Sequence, residues 1–486
     1  MYQSLGAAPS PLARLANPTP ESESHLSSCA QSVAPLDLNV SRTWILTTGL
    51  VRKFPRAGAR LAFVHDAYEL RIPDRYDAAT PAAVFTVERH HQAYAGDVLP
   101  TPPTTSPRNT PYIIPKPAQS LNVLFRSPAC PTTLDEFLHP NTIPLLPVHL
   151  VVYENRTLIG VTAPHIAFDA VGMGVLLHAW TRVLTMNGGD VEGIPGMPWD
   201  AQPFAGEAFA EGAKAAPHGW FDVQGDELRE MIEEFVGGLA RDPEEVVCWV
   251  RVPKKLLEEK KREIMAELKA KGSEEYVGSS DVLAAWWIKT LHGQRAPTDP
   301  TPIHIQMPKD LRDLPIYANS APLPYPYIHN TCLFVSAPPL PVSAIQTQSL
   351  GALALHVRRG IQAYTGDPEK VRREVRWVAS EEGRRKWSAL MPCPPKAEAF
   401  SVTNWRTAKL GELDFAGARV AKAGEAADEC KRKVSLVHIV VSSKEPASLR
   451  GINAVPMEDD EAVWLWKIFG VKELERLREG GGIDFA

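Results

Sequence analysis

The sequence predicts an α/β fold, and three observations predict it. Short β-type apolar runs and longer amphipathic stretches intermix along the whole chain, with no repeat period. Apolar residues make up 44% of the chain and charged residues 22%, enough for a buried core under a solvated surface. At 486 residues the chain exceeds what one core ordinarily organises. Two domains of about 200 residues each are therefore expected.

Residues 1–35, rich in Pro and Ser and without periodicity, read as a flexible lead-in, and their start holds no apolar run of a secretory signal. Residues 36–190 form the expected first domain. It opens with short alternations at Leu61–Val64 and Tyr68–Ile72, then a proline-dense connector over 98–119 and a strand at Leu121–Phe125. Val148–Tyr153 and Leu158–Thr162 flank the polar turn Glu154–Thr157, a hairpin signal. Pro164 ends the second strand and a helix is predicted over Gly172–Leu184. Residues 191–245, rich in Gly, Pro and acids with weak periodicity, read as a crossover.

The second expected domain spans 246–486, with part of 410–445 packing on the first. Glu245–Val252 reads as a strand, with Pro253 in the first turn of the helix that follows. Lys254–Lys271 is an amphipathic helix whose charges are a solvated face. Ser279 and Ser280 cap an apolar helix over Asp281–Leu291. Residues 314–327 are a proline-rich loop. Strands are predicted at Thr331–Ser336 and Ser435–Ser442, and helices at Ala344–Tyr364 and Asp460–Phe469.

Several function classes are excluded. The net charge of −5, with no long basic run, lacks the footprint of a nucleic-acid binder. Six scattered cysteines without a C-x-x-C pair argue against a zinc site, a dithiol centre or a disulfide framework. No metal is expected. The weakly polar stretch Leu158–Trp180 contains His165, Asp169 and His178 and is broken by Pro164 and three glycines. It reads as a buried strand-turn-helix rather than a membrane span, so the expected location is the cytosol. There is no G-x-x-x-x-G-K-[ST], G-x-S-x-G or H-E-x-x-H, and Gly172-Met-Gly174 is only a fragment of a dinucleotide loop.

What remains is an H-x-x-x-D pair. With 14 histidines, about one such pair is expected by chance, and the chain has two, His165/Asp169 and His218/Asp222. His218 lies in the Gly/Pro-rich crossover, where nothing rigid holds it. His165 sits where a hairpin strand ends and a helix begins, the kind of scaffold a general base needs. On local grounds a hydrogen-bonded core histidine is an equal reading. The i, i+4 spacing could put Asp169 on one face with His165, as a dyad orienting the imidazole. An Asp in an apolar stretch needs a charge partner in any case.

Six ordered landmarks change the weight of these readings. His165-Ile-Ala-Phe-Asp169-Ala-Val-Gly172 resembles the H-x-x-x-D-(A/G)-x-G segment of the BAHD acyltransferases, coenzyme A-dependent enzymes of plant and fungal secondary metabolism. Thr403-Asn-Trp405 resembles the family's T-S/N-W, and Asp414-Phe-Ala-Gly-Ala418 stands where D-F-G-W-G begins, with three of five positions changed. Ser279–Trp287 resembles the S-T/S-x-D/E-V-L-x-A-x-x-W helix, Asp310-Leu-Arg312 the D/N-x-R segment, and Tyr327-Ile-His-Asn330 the Y-x-G-N segment with His329 for Gly. Gly58-Ala-Arg-Leu61 resembles G-x-R-L. The landmarks cover 58–420, and the pattern is closer to divergent fungal members than to plant ones.

The resemblance implies two similar-sized chloramphenicol-acetyltransferase-like domains, each a mixed sheet flanked by helices, with the site in a channel between them. It implies O-acyl transfer from acyl-coenzyme A, acetyl by default, to a small secondary-metabolite alcohol, in a monomer with no resident cofactor. His165 would be the general base. Asp169 would turn away to pair with an arginine, for which Arg312 is the candidate, and Asp414 would be structural. Thr403, Asn404, Trp405 and Gly172 are the channel or oxyanion candidates. N-acylation of a small amine is the near variant. A non-catalytic small-molecule-binding protein that kept the fold is the alternative from another class.

Overall fold

The computed structural model describes residues 26–33, 49–64, 67–95, 109–117, 124–139, 142–186, 191–206, 219–386, 390–418, 434, 436–442 and 450–485. The first described strand, β1 (Leu26–Val33), corrects the reading of residues 1–35 as a flexible lead-in. It runs antiparallel between Thr157–Pro164 on one side and Leu436–Ser442 on the other. Half its residues are polar, so it carries no strand signal of its own; its ladder is supplied by neighbours distant in sequence.

β2 (Arg60–Val64) and β3 (Ala67–Arg71) pair as a two-stranded ribbon, and β4 (Val84–Arg89) follows. The proline-dense connector contains β5 (Tyr112–Pro117), with Ile113 fully buried; its part over 98–108 lies outside the described residues. The strand predicted at Leu121–Phe125 lies mostly outside them too, and Leu124 and Phe125 are helical. β6 (Pro147–Val152) and β7 (Thr157–Pro164) are the expected hairpin. After a turn comes helix α1 (Ala170–Thr185).

The crossover contains a helix that the sequence reading missed, α2 (Gly225–Arg241). β8 (Glu245–Pro253) then leads directly into α3 (Lys254–Ala270). α4 (Ser279–His292) has Gly278, not a serine, as its N-cap residue, and Asp281 reaches back to accept from Gly278 N at 2.6 Å. β9 (Pro302–Asp310) and β10 (Cys332–Pro341) pair antiparallel. The helix predicted over Ala344–Tyr364 is two, Val342–Thr347 and α5 (Leu350–Thr365), because Ser349 caps a new start by accepting from Ala352 N. α6 (Pro368–Ala379), β11 (Glu398–Asn404), β12 (Leu436–Ser442) and β13 (Ile452–Glu458) follow.

Asp460–Phe469 is not a helix. It is β14 (Ala462–Gly470), and all nine of its residues are buried. A strand covered on both faces loses the polar-apolar alternation that separates strand from buried helix in a sequence. Helix α7 (Val471–Glu479) and the short β15 (Asp484–Phe485) complete the described chain.

Among the described residues the larger sheets are five-stranded, in the order β12-β1-β7-β6-β4, and eight-stranded, in the order β10-β9-β11-β13-β14-β8-β5-β15. β5 therefore leaves the segment 36–190 to join the second sheet, against the expected boundary, while β12, inside 410–445, joins the first. The eight-stranded sheet buries both faces. Trp249, Trp464 and Trp466 pack into the core shared with the first sheet. Cys248, Val250, Val463 and Leu465 pack with α4, α5 and α7 on the other side. No described helix is long and apolar enough to cross a membrane.

Candidate active site

The site begins at a break in the large sheet. β9 and β11 pair in parallel only over Ile303–Gln306 and Glu398–Ser401. From Ser401 onward β11 pairs instead with β13, through Asn404. β9 meanwhile stays bonded to β10 as far as Asp310. The two strands part as a wedge, and Met307–Asp310 on one side and Val402–Asn404 on the other line a cavity of about 1260 Å³. That exceeds the roughly 300–1,000 Å³ of ordinary small-molecule sites.

His165 borders this cavity. It is the first residue of the turn between β7 and α1, and its carbonyl accepts from Asn330 Nδ2 at 2.7 Å, which pins the turn to the second half of the chain. His165 Nδ1 is enclosed and has no hydrogen-bond partner among the described residues, which leaves Nε2 as the ring nitrogen for exchange with a bound group.

Asp169 is the N-cap of α1 and points elsewhere. Its Oδ1 accepts from Gly172 N at 2.7 Å and Arg312 Nη2 at 2.9 Å. Its Oδ2 accepts from Arg312 Nη1 at 3.1 Å and Thr331 N at 2.9 Å. Arg312 places its remaining donors on Asp310 Oδ1, Tyr327 O and His329 O. Burial pulls the Arg312 guanidinium pKa down, but Asp169 and Asp310 outweigh it and hold the pKa above the ordinary value. This bidentate pair joins α1 to the loop between β9 and β10.

His329, standing where the family pattern has Gly, adds a further tie. Its Nδ1 lies 3.0 Å from Ala167 O and its ring stacks on Phe168 with centroids 5.5 Å apart. Burial lowers its pKa to about 3, so the ring is neutral. It braces the turn that carries His165.

On the opposite wall Thr403, Asn404 and Trp405 border the cavity. Trp405 Nε1 donates to Thr403 Oγ1 at 2.9 Å, which leaves the Thr403 hydroxyl hydrogen for another acceptor. Asn404 Nδ2 donates to Ser280 Oγ at 2.9 Å and Asn404 Oδ1 accepts from Arg406 N at 3.1 Å. The walls are held in register by α1 itself, since His178 Nε2 lies 3.1 Å from Ala408 O and Gly174 packs against Ala408.

One channel candidate, Gly172, falls away from the cavity, and Asp414, expected to be structural, lies off it too. Gly172 does not border it, and its N–H is committed to Asp169, so it is no oxyanion donor. It is glycine for another reason: a Cβ there would lie 1.9 Å from Ile328 O. Asp414 does not border the cavity either. Its neighbour Phe415 is fully buried edge-on to Trp180, and a Cβ on Gly417 would meet the backbone of Leu184 and Thr185. The altered segment is thus packed on the C-terminal end of α1. Sequence reasoning gave no role to Asn330, Thr331 or Asp310, although the Y-x-G-N and D/N-x-R matches contained two of them, and nothing marked Arg406. Among the described residues no group of three or more His, Cys, Asp or Glu side chains could hold a metal ion.

Known proteins place this architecture. No family model matches the chain. Acetyltransferase adrJ of Penicillium rubens is 26% identical over 426 residues, covering 84% of this chain and 82% of that protein. O-acyltransferase pboC of Aspergillus ustus is 22% identical over 306 residues, covering 62% of this chain and 61% of that one. The crystal structure of F. sporotrichioides TRI101 complexed with coenzyme A and T-2 matches with a TM-score of 0.57 at 14% identity, over 98% of this chain and 95% of that chain. The fold is the two-domain acyltransferase fold, mixed sheets flanked by helices. The chain is similar to fungal acetyl- and O-acyltransferases, and its ordered motifs resemble those of the BAHD type.

Proposed function

We propose that this protein transfers an acyl group from coenzyme A to a hydroxyl of a small metabolite, with His165 as general base. The observation that supports the reading is that His165 and Thr403 both border one cavity, which enters the β9–β11 wedge, and that His165 Nδ1 is enclosed. A thioester is already activated, whereas a neutral alcohol is a poor nucleophile, so the protein must chiefly supply a base. Nε2 takes the hydroxyl proton as the alcohol oxygen attacks the thioester carbonyl. The Thr403 hydroxyl donates to the oxygen that becomes negative. The C–S bond then breaks, and the proton held on His165 passes to the departing thiolate. No acyl-enzyme forms, and Asp169 acts by fixing α1 rather than by touching the imidazole.

Acetyl is the donor group we assign, in keeping with the naming of adrJ as an acetyltransferase. The test is thiol release from acetyl-coenzyme A with a panel of alcohols. His165→Ala should lower kcat by about 10²–10⁴. Thr403→Val should lower kcat by about 10²–10³. Undiminished turnover in His165→Ala would remove His165 as the base.

A further inference from the structure

The turn that carries His165 is held by two neighbouring side chains. Asn330 Nδ2 donates to His165 O at 2.7 Å, and His329 Nδ1 lies 3.0 Å from Ala167 O. A carbonyl oxygen only accepts, so Nδ1 carries the ring proton and His329 Nε2 is left with a lone pair. The bond to His165 O likewise orients the Asn330 amide and leaves its Oδ1 as an acceptor.

His329 and Asn330 are each only 5% exposed. Neither His329 Nε2 nor Asn330 Oδ1 has a hydrogen-bond partner among the described residues. An orphaned buried acceptor costs about 1–3 kcal/mol, so two on adjacent residues call for a shared partner. They cannot satisfy each other, because neither has a proton to give. What both need is one group with two donors.

Both residues border a small cavity of about 10 Å³, separate from the large one beside His165. Leu61, Tyr68 and Leu70 of the β2–β3 ribbon and Ile166 and Ala167 of the His165 turn border it as well. That volume is about one water probe, room for a single molecule. No carboxylate borders it, and the Arg312 guanidinium donates to the adjoining carbonyl of His329 at 2.7 Å, so a cation is disfavoured there.

We propose that one buried water donates to both His329 Nε2 and Asn330 Oδ1, and that through it His329 is a positioning residue for His165. The water joins the two anchors of the turn into one unit beneath the β2–β3 ribbon. His329 does not border the large cavity, so it acts through the turn and not on a bound group. The positioning role rests on the acyl-transfer reading, in which His165 is the base; the water does not.

The test is a high-resolution crystal structure of the full chain, with kinetics of His329→Phe and His329→Asn. Density for one water within hydrogen-bond reach of both acceptors is expected in the parent chain. His329→Phe keeps the ring shape and removes both polar atoms. His329→Asn sets an amide N–H near the Nδ1 position, retaining a donor for Ala167 O while losing Nε2. Each should lower kcat about tenfold with KM for acetyl-coenzyme A unmoved, part of the roughly 10²-fold that a misplacement of about 1 Å costs. A merely structural role would lower the melting temperature and leave kcat per folded molecule unchanged. If His329→Phe does not fold, His329→Asn carries the comparison.

No density at the two acceptors in the parent chain overturns the water, and undiminished kcat in the variants overturns the positioning role. If no donor–alcohol pair turns over in the parent chain, the acyl-transfer reading fails by itself. The crystal structures then still decide the brace: a His165 ring displaced in the variant supports it, and an unmoved ring overturns it.

Discussion

Arg312 has five N–H donors, and every one finds an oxygen: two on Asp169, one on Asp310, and the carbonyls of Tyr327 and His329. A cation this enclosed tolerates its position only while the set is complete. Asp169→Ala should therefore cost about 3–5 kcal/mol, since it leaves the guanidinium buried and half paired. Asp169→Asn should cost less, because its single amide oxygen can still accept from Gly172 N, although the amide nitrogen then faces the Thr331 N–H. Adding Arg312→Met to Asp169→Ala should recover part of the loss, read as denaturation midpoints around a double-mutant cycle. A shifted pH profile of kcat with stability intact would instead make Asp169 the orienting partner of His165.

At the scale of elements, helix α1 carries the site because it is gripped from several sides. Asp169 caps it, Arg312 and Thr331 hold the cap, and His178 and Gly174 meet the segment after Thr403. Close approach at Gly172 is part of that grip. Gly172→Ala must displace either α1 or the Ile328 carbonyl and should cost about 1–3 kcal/mol or more. Gly193→Ala is the matched control, because nothing lies within 4 Å of its Cβ position. A melting temperature lowered equally in both would show that the Ile328 contact is not the cause. The helix itself was legible in the sequence from Gly172 to Leu184, and its termini moved by only one or two residues. α2 was not legible, because Gly237 and Gly238 and the acidic run dilute its stripe and its apolar face meets a cavity instead of a core.

For the whole molecule, imidazoles whose pKa is lowered, His149 among them, tie stability to pH. His292, His329 and His438 have their pKa values lowered to about 3, in each case chiefly by burial. In the unfolded chain an imidazole titrates near 6.5. The folded form thus refuses protons that the unfolded form accepts, and stability is full above pH of about 6.5 and falls steadily toward pH of about 3. Urea midpoints should drop between pH 6.5 and 4.5, before most carboxylates titrate. His438→Phe should flatten part of that slope and leave the share carried by His149, His292 and His329. A midpoint constant across this interval would refute the linkage.

The sequence by itself determined the fold class, the His165 hairpin end, the pairing candidate Arg312 and the Thr403–Trp405 wall, because each is carried by a local pattern or a short motif. Tertiary structure decided the rest. It put β1 and β12 side by side across more than 400 residues, turned a predicted helix at 460–469 into a doubly buried strand, and sent β5 into the other sheet. Such pairings depend on which edges meet, and no local window records them. It also decided that Gly172 is packed rather than catalytic and that the cavity opens where β9 leaves β11. Those are facts about space between distant segments, which only the assembled chain defines.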